Sequence, residues 1–312
     1  MGCPRSGTTF LYHALLSAGN FAVYRAESQV FNVLEPLFGN LKFEHQRYAL
    51  LTAWYESPLF SKSGLPKGEI DQEVILDCRN GGDFLRVVME AIARMQGVER
   101  WAECTPEHLL YLGRIKRTIP EALIIHVLRD GRDVCLSLAK QRWIKPFPWD
   151  HSQDKCVAAL YWEWIVNHGR AEGGALGDSY VEVRYEDLVL KPRETLASLS
   201  SFVGQPLDYD QILKNAIGSV SQPNTSFDGE FKPVSRWERL MTNSEKQTVQ
   251  ALIGKTLTRL GYTTPEKMTN LQGTVSLALR SIAYHTYFDT KFLLKFRTPL
   301  GELMTSRDLS WT

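Results

Sequence analysis

Charge of one sign is missing from this 312-residue chain: 36 lysines and arginines stand against 35 aspartates and glutamates, a formal net charge of +1 at pH 7. A protein that holds nucleic acid normally carries a basic excess, so no nucleic-acid partner is expected. Cysteine is sparse as well. Cys3, Cys78, Cys104, Cys135 and Cys156 are odd in number, scattered and without a CxxC pair. That argues against a disulfide framework or a zinc site, and for a reducing compartment. No other grouping has metal-ligand spacing, and no metal is expected. No apolar run reaches the roughly 18 residues of a membrane-crossing helix, and no charged-then-apolar leader opens the sequence. Internal repeats and low-complexity linkers are absent. What is plentiful is apolar residue, at 44% enough for a sizeable core.

The densest information lies at the start. Gly2-Cys3-Pro4-Arg5-Ser6-Gly7-Thr8-Thr9 runs into an apolar segment with helical spacing, Phe10, Leu11, Ala14, Leu15 and Ala18. A small, hydroxyl-rich loop opening a helix offers free N–H groups with the helix dipole behind them, which suits an anion. Ser6, Thr8 and Thr9 add hydroxyls and Arg5 adds a cationic fork. The stretch matches GxxxxGK[ST] everywhere but at the lysine, which is Thr8 here. The positive charge comes instead from Arg5. The bland alternative is a glycine-rich turn capping an ordinary helix. Such a loop normally follows a buried strand, yet only Met1 precedes Gly2. Trimming, a misassigned start or a strand reduced to a stub would each explain that, and a loop anchored on one side should be mobile.

A second anion grip follows residues 122–128, an apolar run rich in β-branched residues that suits a buried parallel strand. Arg129-Asp130-Gly131-Arg132-Asp133 comes next, then a helical segment from Val134 with Asp133 near its start, and Ser137 lies about two helical turns beyond Arg129. Two grips suggest a ligand with phosphate groups at two ends.

Together with Tyr185-Glu186-Asp187-Leu188, these segments resemble the sulfotransferase family over roughly residues 2–260. The resemblance implies a PAPS (3′-phosphoadenosine 5′-phosphosulfate) donor, held by Pro4, Arg5, Ser6, Gly7, Thr8 and Thr9 at its phosphosulfate. Arg129 and Ser137, eight residues apart as in the family, would hold the 3′-phosphate. Tyr185 would meet the adenosine end. Ser235-Arg236-Trp237 looks like a donor-site segment of tyrosylprotein sulfotransferases, though Trp237 could equally be core packing. Golgi members of the family carry an N-terminal anchor, and none is read here, so the expectation is a soluble, cytoplasmic enzyme.

The acceptor would be a hydroxyl compound of unread class, and Glu27 is the first choice of general base because its segment resembles the one after the first helix in tyrosylprotein sulfotransferases. A surface carboxylate is its plainer reading. His108 is the rival, and a lone histidine is more often structural. Where many members have a lysine before Thr-Pro, this chain has Cys104 before Thr105-Pro106, leaving Arg5 alone or joined by Arg142 or Lys145. Two readings compete with PAPS-dependent transfer: a P-loop-type small-molecule kinase, and a non-catalytic nucleotide-binding relative.

The expected fold class is α/β, a doubly wound parallel sheet in three α/β/α layers with a P-loop-like phosphosulfate-binding loop. Helices are expected over 83–96, 153–169 and 192–204, and strands over 101–104 and 180–185. The strand ends should bring Arg5, Cys104, Arg129 and Tyr185 to one edge. Residues 40–75 and the aromatic loop from Arg142 to Trp149 are read either as acceptor-pocket walls or as packing. Residues 1–265 are expected as the catalytic domain. Residues 266–312 are read as a helical appendage (Thr274 to Tyr287) with a loose tail, or as a contact in a homodimer.

Overall fold

In the computed structural model, which describes residues 1–39, 41–148, 150, 154–220, 233–263 and 271–297, the apolar run at 122–128 becomes strand β1 (Ile124–Leu128). It pairs in parallel with β2 (Tyr180–Arg184), Ile124 opposite Tyr180 and Leu128 opposite Arg184. Side chains alternate across a strand. Ile124 and Leu128 enter the larger of two buried clusters, while Val127 enters the smaller and Ile125 packs against it. Helices therefore cover both faces, as parallel pairing requires. The class is α/β, as expected. The sheet is small: β1 and β2, extended by one parallel bridge from Gly2 to Val127. Met1 and Gly2 thus run alongside β1, Val127 donating its N–H to the Met1 carbonyl at 2.8 Å.

The smaller cluster is built on α1 (Thr8–Ser17), which follows the loop directly, and on later helices of the chain. The larger cluster takes α2 (Glu44–Glu56) and α3 (Gly81–Gln96), with Trp54, Phe84 and Met89 buried. Residues 41–75 belong to this helical cover, and none of them lines the cavity described below. Across β1, α4 (Gly131–Gln141) lies along α5 (Asp154–Gly173). Asp130, rather than Asp133, caps α4, its carboxylate accepting from the Arg132 N–H at 2.9 Å. After β2 come α6 (Tyr185–Leu190), α7 (Pro192–Val203) and α8 (Tyr209–Asn215). Pro192 opens α7 and Gly204 closes it in the left-handed region. The chain then forms α9 (Arg236–Leu240), α10 (Asn243–Arg259) and α11 (Leu271–Arg297). α11 is longer than the periodicity suggests and packs against α5, burying Tyr284 and Phe288. The tail beyond it lies outside the described residues.

One expected strand is absent. Residues 101–104 run unpaired, with only Arg100 bridging to Phe21. Beside this segment the buried Glu103 carboxylate accepts the N–H groups of Ser28 (3.2 Å) and Thr105 (2.8 Å). No helix among the described residues is long and apolar enough to cross a membrane.

Candidate active site

The loop between the Gly2 bridge and α1 is shaped by two backbone positions. Arg5 sits in the left-handed region (φ 72) and so does Gly7 (φ 94), the residue that caps α1. Glycine is needed at the second for a further reason: a Cβ there would meet Cδ2 of Tyr185 at 2.2 Å. Strain kept at Arg5, a non-glycine residue, points to a functional position. The loop closes on itself through Ser6 N–H to Cys3 carbonyl at 3.0 Å. Phe10 and Leu11 both donate to the Gly7 carbonyl, so the amides of Gly7, Thr8 and Thr9 have no acceptor among the described residues. They face a cavity of about 1210 Å³ that Pro4, Arg5, Gly7, Thr8 and Thr9 line. Open amides at the start of a helix suit an anion. Ser6 is fully buried beneath the loop and does not line the cavity.

Arg129 closes β1 at the same edge. Its guanidinium donates to the Arg5 carbonyl at 3.1 Å and the Pro233 carbonyl at 2.8 Å, and lies 4.2 Å from the Tyr185 ring centre. Its Nε has no partner among the described residues. Arg5 Nε donates to Ser137 Oγ at 2.8 Å, so the two grips meet. Arg129, Ser137, Tyr185 and Arg236 all line the cavity. Burial, then Arg129 and Arg236, hold the Arg5 guanidinium below its usual range. Arg5, Arg129 and Arg236, converging with the loop amides and the unpaired Nε of Arg129, suit a ligand with phosphate groups.

The facing wall is acidic. Glu27 Oε2 accepts from Gln29 Nε2 at 2.8 Å, and Asn32, next to Gln29, donates to Glu107 at 3.1 Å. Tyr161 donates to the other oxygen of Glu107 at 3.3 Å. Glu27, Gln29, Asn32, Glu107 and Tyr161 all reach the cavity. Glu27 is exposed where it meets the cavity, yet desolvation by the surrounding residues, then Glu103 and Glu107, push its carboxyl up to about 7. A carboxylate poised there is equipped to take a proton at neutral pH. Of this wall, sequence reasoning picked out Glu27 alone as a site residue. A signal for the others was present: Gln29 and Asn32 are polar residues three apart in an otherwise apolar stretch, and Glu107 follows Pro106.

Other expected residues lie elsewhere. His108 is fully buried. Its Nε2 accepts from the Phe31 N–H at 3.2 Å and its Nδ1 donates to Glu103 at 3.0 Å, so neither nitrogen faces the cavity. Burial alone would raise the Glu103 carboxyl, but His108, Thr105 and Ser28 outweigh it and hold it at about 2. Cys104 is buried behind the loop rather than in the cavity, its thiol pushed up to about 12 by burial, which leaves no nucleophile there. Ser235 is exposed and outside the cavity. Trp237 packs under Arg132, the guanidinium 3.8 Å from its ring, because Asp133 accepts its backbone N–H at 2.8 Å and pins α9 to α4. That contact leaves Arg236 at the cavity. The loop after α4 supplies Arg142, Trp143, Ile144 and Lys145 to the lining, with Trp143 6.0 Å from the Arg5 guanidinium. Phe147 stacks on Tyr284 at 4.6 Å, and Trp149 lies outside the described residues.

Several known proteins are similar to this chain. Protein-tyrosine sulfotransferase 1 of Danio rerio is 26% identical over 274 residues, covering 84% of this chain and 70% of that protein. The sulfotransferase domain of the Synechococcus PCC 7002 olefin synthase superposes with a TM-score of 0.52 at 17% identity, covering 84% of this chain and 93% of that one, a likeness of fold. A sulfotransferase domain from the curacin biosynthetic pathway aligns at a TM-score of 0.48 and 15% identity, covering 84% and 96% of the two chains. The model of the sulfotransferase family matches residues 1–209, a span that includes the loop, Glu27, Arg129, Ser137 and Tyr185. The chain belongs to the sulfotransferase family.

Proposed function

We propose that this protein transfers a sulfuryl group from PAPS to an acceptor hydroxyl in one in-line displacement. The observation that carries the reading is the division of one cavity between two chemistries. Arg5, Arg129, Arg236 and open amides make one wall, and Glu27, held near neutrality, stands in the other. Bound PAPS would supply the sulfuryl group and a phosphate leaving group. The acceptor oxygen–sulfur bond forms as the sulfur–phosphate oxygen bond breaks, and the hydroxyl proton goes to Glu27. Arg5 steadies the charge growing on the leaving oxygen, and the amides of Gly7 to Thr9 cradle the sulfuryl oxygens. Arg129 and Ser137 hold the 3′-phosphate, and Tyr185, against the Arg129 guanidinium, borders the nucleoside.

Thr8 in place of the Walker lysine speaks against a kinase. Five free, buried cysteines are in keeping with a cytoplasmic location. Sulfur-labelled PAPS, incubated with a panel of phenols, alcohols, sugars and a tyrosine peptide, tests the reaction. The wild type labels at least one acceptor and Arg5→Ala labels none. Wild-type turnover in folded Arg5→Ala overturns the mechanism.

A further inference from the structure

Two residues beyond the proposed base the backbone is strained. Gln29 sits in the left-handed region (φ 54), which a non-glycine residue seldom adopts. Its N–H donates to Thr105 Oγ1 at 3.1 Å. Its carbonyl accepts from Val33 at 2.9 Å and Leu34 at 3.0 Å, at the start of the π-turn Val30–Leu34. Strained positions and π-turns both gather at functional sites. Glycine would meet the same dihedrals without strain, so what this position keeps is its side chain.

That side chain is one link in a directional series of hydrogen bonds along the cavity wall. Gln29 Nε2 donates to Glu27 Oε2 at 2.8 Å. Asn32 Nδ2 donates to Gln29 Oε1 and, at 3.1 Å, to Glu107 Oε2. Tyr161 donates to Glu107 Oε1 at 3.3 Å. An ionised carboxylate only accepts, so Glu107 and Glu27 decide which way both amides point. Glu107 turns the Asn32 nitrogen toward itself, Asn32 then offers its second N–H to Gln29, and Gln29 is left with its nitrogen aimed at Glu27. Glu27 is exposed and makes no other side-chain hydrogen bond among the described residues, so Gln29 alone fixes its orientation. We propose, resting on the sulfuryl-transfer reading, that Gln29 is the positioning residue for the base: its carboxamide, locked by Asn32 and Glu107, holds Glu27 Oε2 and leaves Oε1 to take the acceptor's proton.

The charges that face Glu27 set the background for the test. Glu103 and Glu107, on the segment behind it, raise its carboxyl, while the N–H donated by Gln29 and the ammonium of Lys62, on the short helix Pro58–Ser63, lower it. Gln29→Met keeps the length of the side chain and removes the donor, and Gln29→Lys keeps the length and supplies a charged one. Carbon-labelled glutamate in the intact chain, with Glu27→Gln to assign the signal, follows the Glu27 carboxyl through a pH titration by NMR. The midpoint should rise by about one pH unit in Gln29→Met and fall below that of the wild type in Gln29→Lys. For the acceptors of the panel that the wild type labels, Gln29→Met should lower kcat about tenfold at pH 7, leave KM and bisphosphate affinity unchanged, and carry the pH limb upward with the midpoint. A melting profile reports whether each variant folds, and should Gln29→Met not do so, Gln29→Lys decides. A Glu27 midpoint unmoved in the folded variants, or a loss that falls on KM with the pH limb in place, overturns the proposal and leaves sulfuryl transfer standing. A wild-type rate in Glu27→Gln overturns the base itself along with its positioning, so the two failures are distinguishable.

Discussion

Glu27 and Arg5 hold the two ends of the proposed reaction, and each has a distinct signature on substitution. Glu27→Gln keeps the shape and the Gln29 contact but removes the base. It should lower kcat by roughly 10²–10³ and leave bisphosphate affinity near that of the wild type. Because the Glu27 carboxyl is raised to about 7, its deprotonated form grows in as pH rises through that value. The wild-type rate should therefore climb from pH 5.5 and level off above about 8, and Glu27→Gln should lose that limb. A profile unchanged by the substitution would place the base elsewhere. Ser137→Ala removes the hydroxyl that accepts from Arg5 and should weaken bisphosphate binding by about 1–3 kcal/mol, measured by titration. Arg129→Ala should do the same and also loosen the loop, since Arg129 holds the Arg5 carbonyl.

Among the elements, the loop into α1 and the segment 101–111 are set by different forces, and both are testable. Gly7→Ala places a methyl at φ 94 against the Tyr185 ring, so it should destabilise the chain by at least about 1 kcal/mol and abolish bisphosphate binding. Adding Tyr185→Ala relieves the contact but not the backbone strain, so stability should return only in part, as read by denaturant midpoints. At 101–111 the buried Glu103 organises Ser28, Thr105 and His108. Its folded-state carboxyl is depressed, so the stability it contributes is complete above the unfolded value and is lost as pH falls. The melting temperature should drop between pH 4.5 and about 2, and Glu103→Gln should flatten that part of the curve. Two features of this segment were hidden in the sequence. Trp101 to Cys104 has the composition of a strand, but among the described residues no strand lies beside it to pair with. His108 looked like a base until its partners, Phe31 and Glu103, were both visible. By contrast β1, β2, α4 and α7 were legible, because a β-branched run, an apolar helical periodicity and a Pro–Gly pair act locally, although the cap of α4 proved to be Asp130.

At the scale of the whole molecule, most of the cavity's arginine side was legible in the sequence because Pro4 to Thr9 and Arg129 to Ser137 are two short, contiguous motifs. The facing side was not. Gln29, Asn32, Glu107 and Tyr161, which line the cavity beside Glu27, come from distant segments joined only by packing. A donor analogue that binds across the arginine cluster should stabilise the fold, by about 2.7 kcal/mol at a hundred times its Kd, measurable as a rise in melting temperature. The most direct test of the account is a calorimetric titration of the intact chain with adenosine 3′,5′-bisphosphate, beside ATP with Mg²⁺. The account predicts micromolar binding of the bisphosphate, lost in Arg5→Ala, with only weak binding of ATP. Tight binding of ATP with none of the bisphosphate would contradict it.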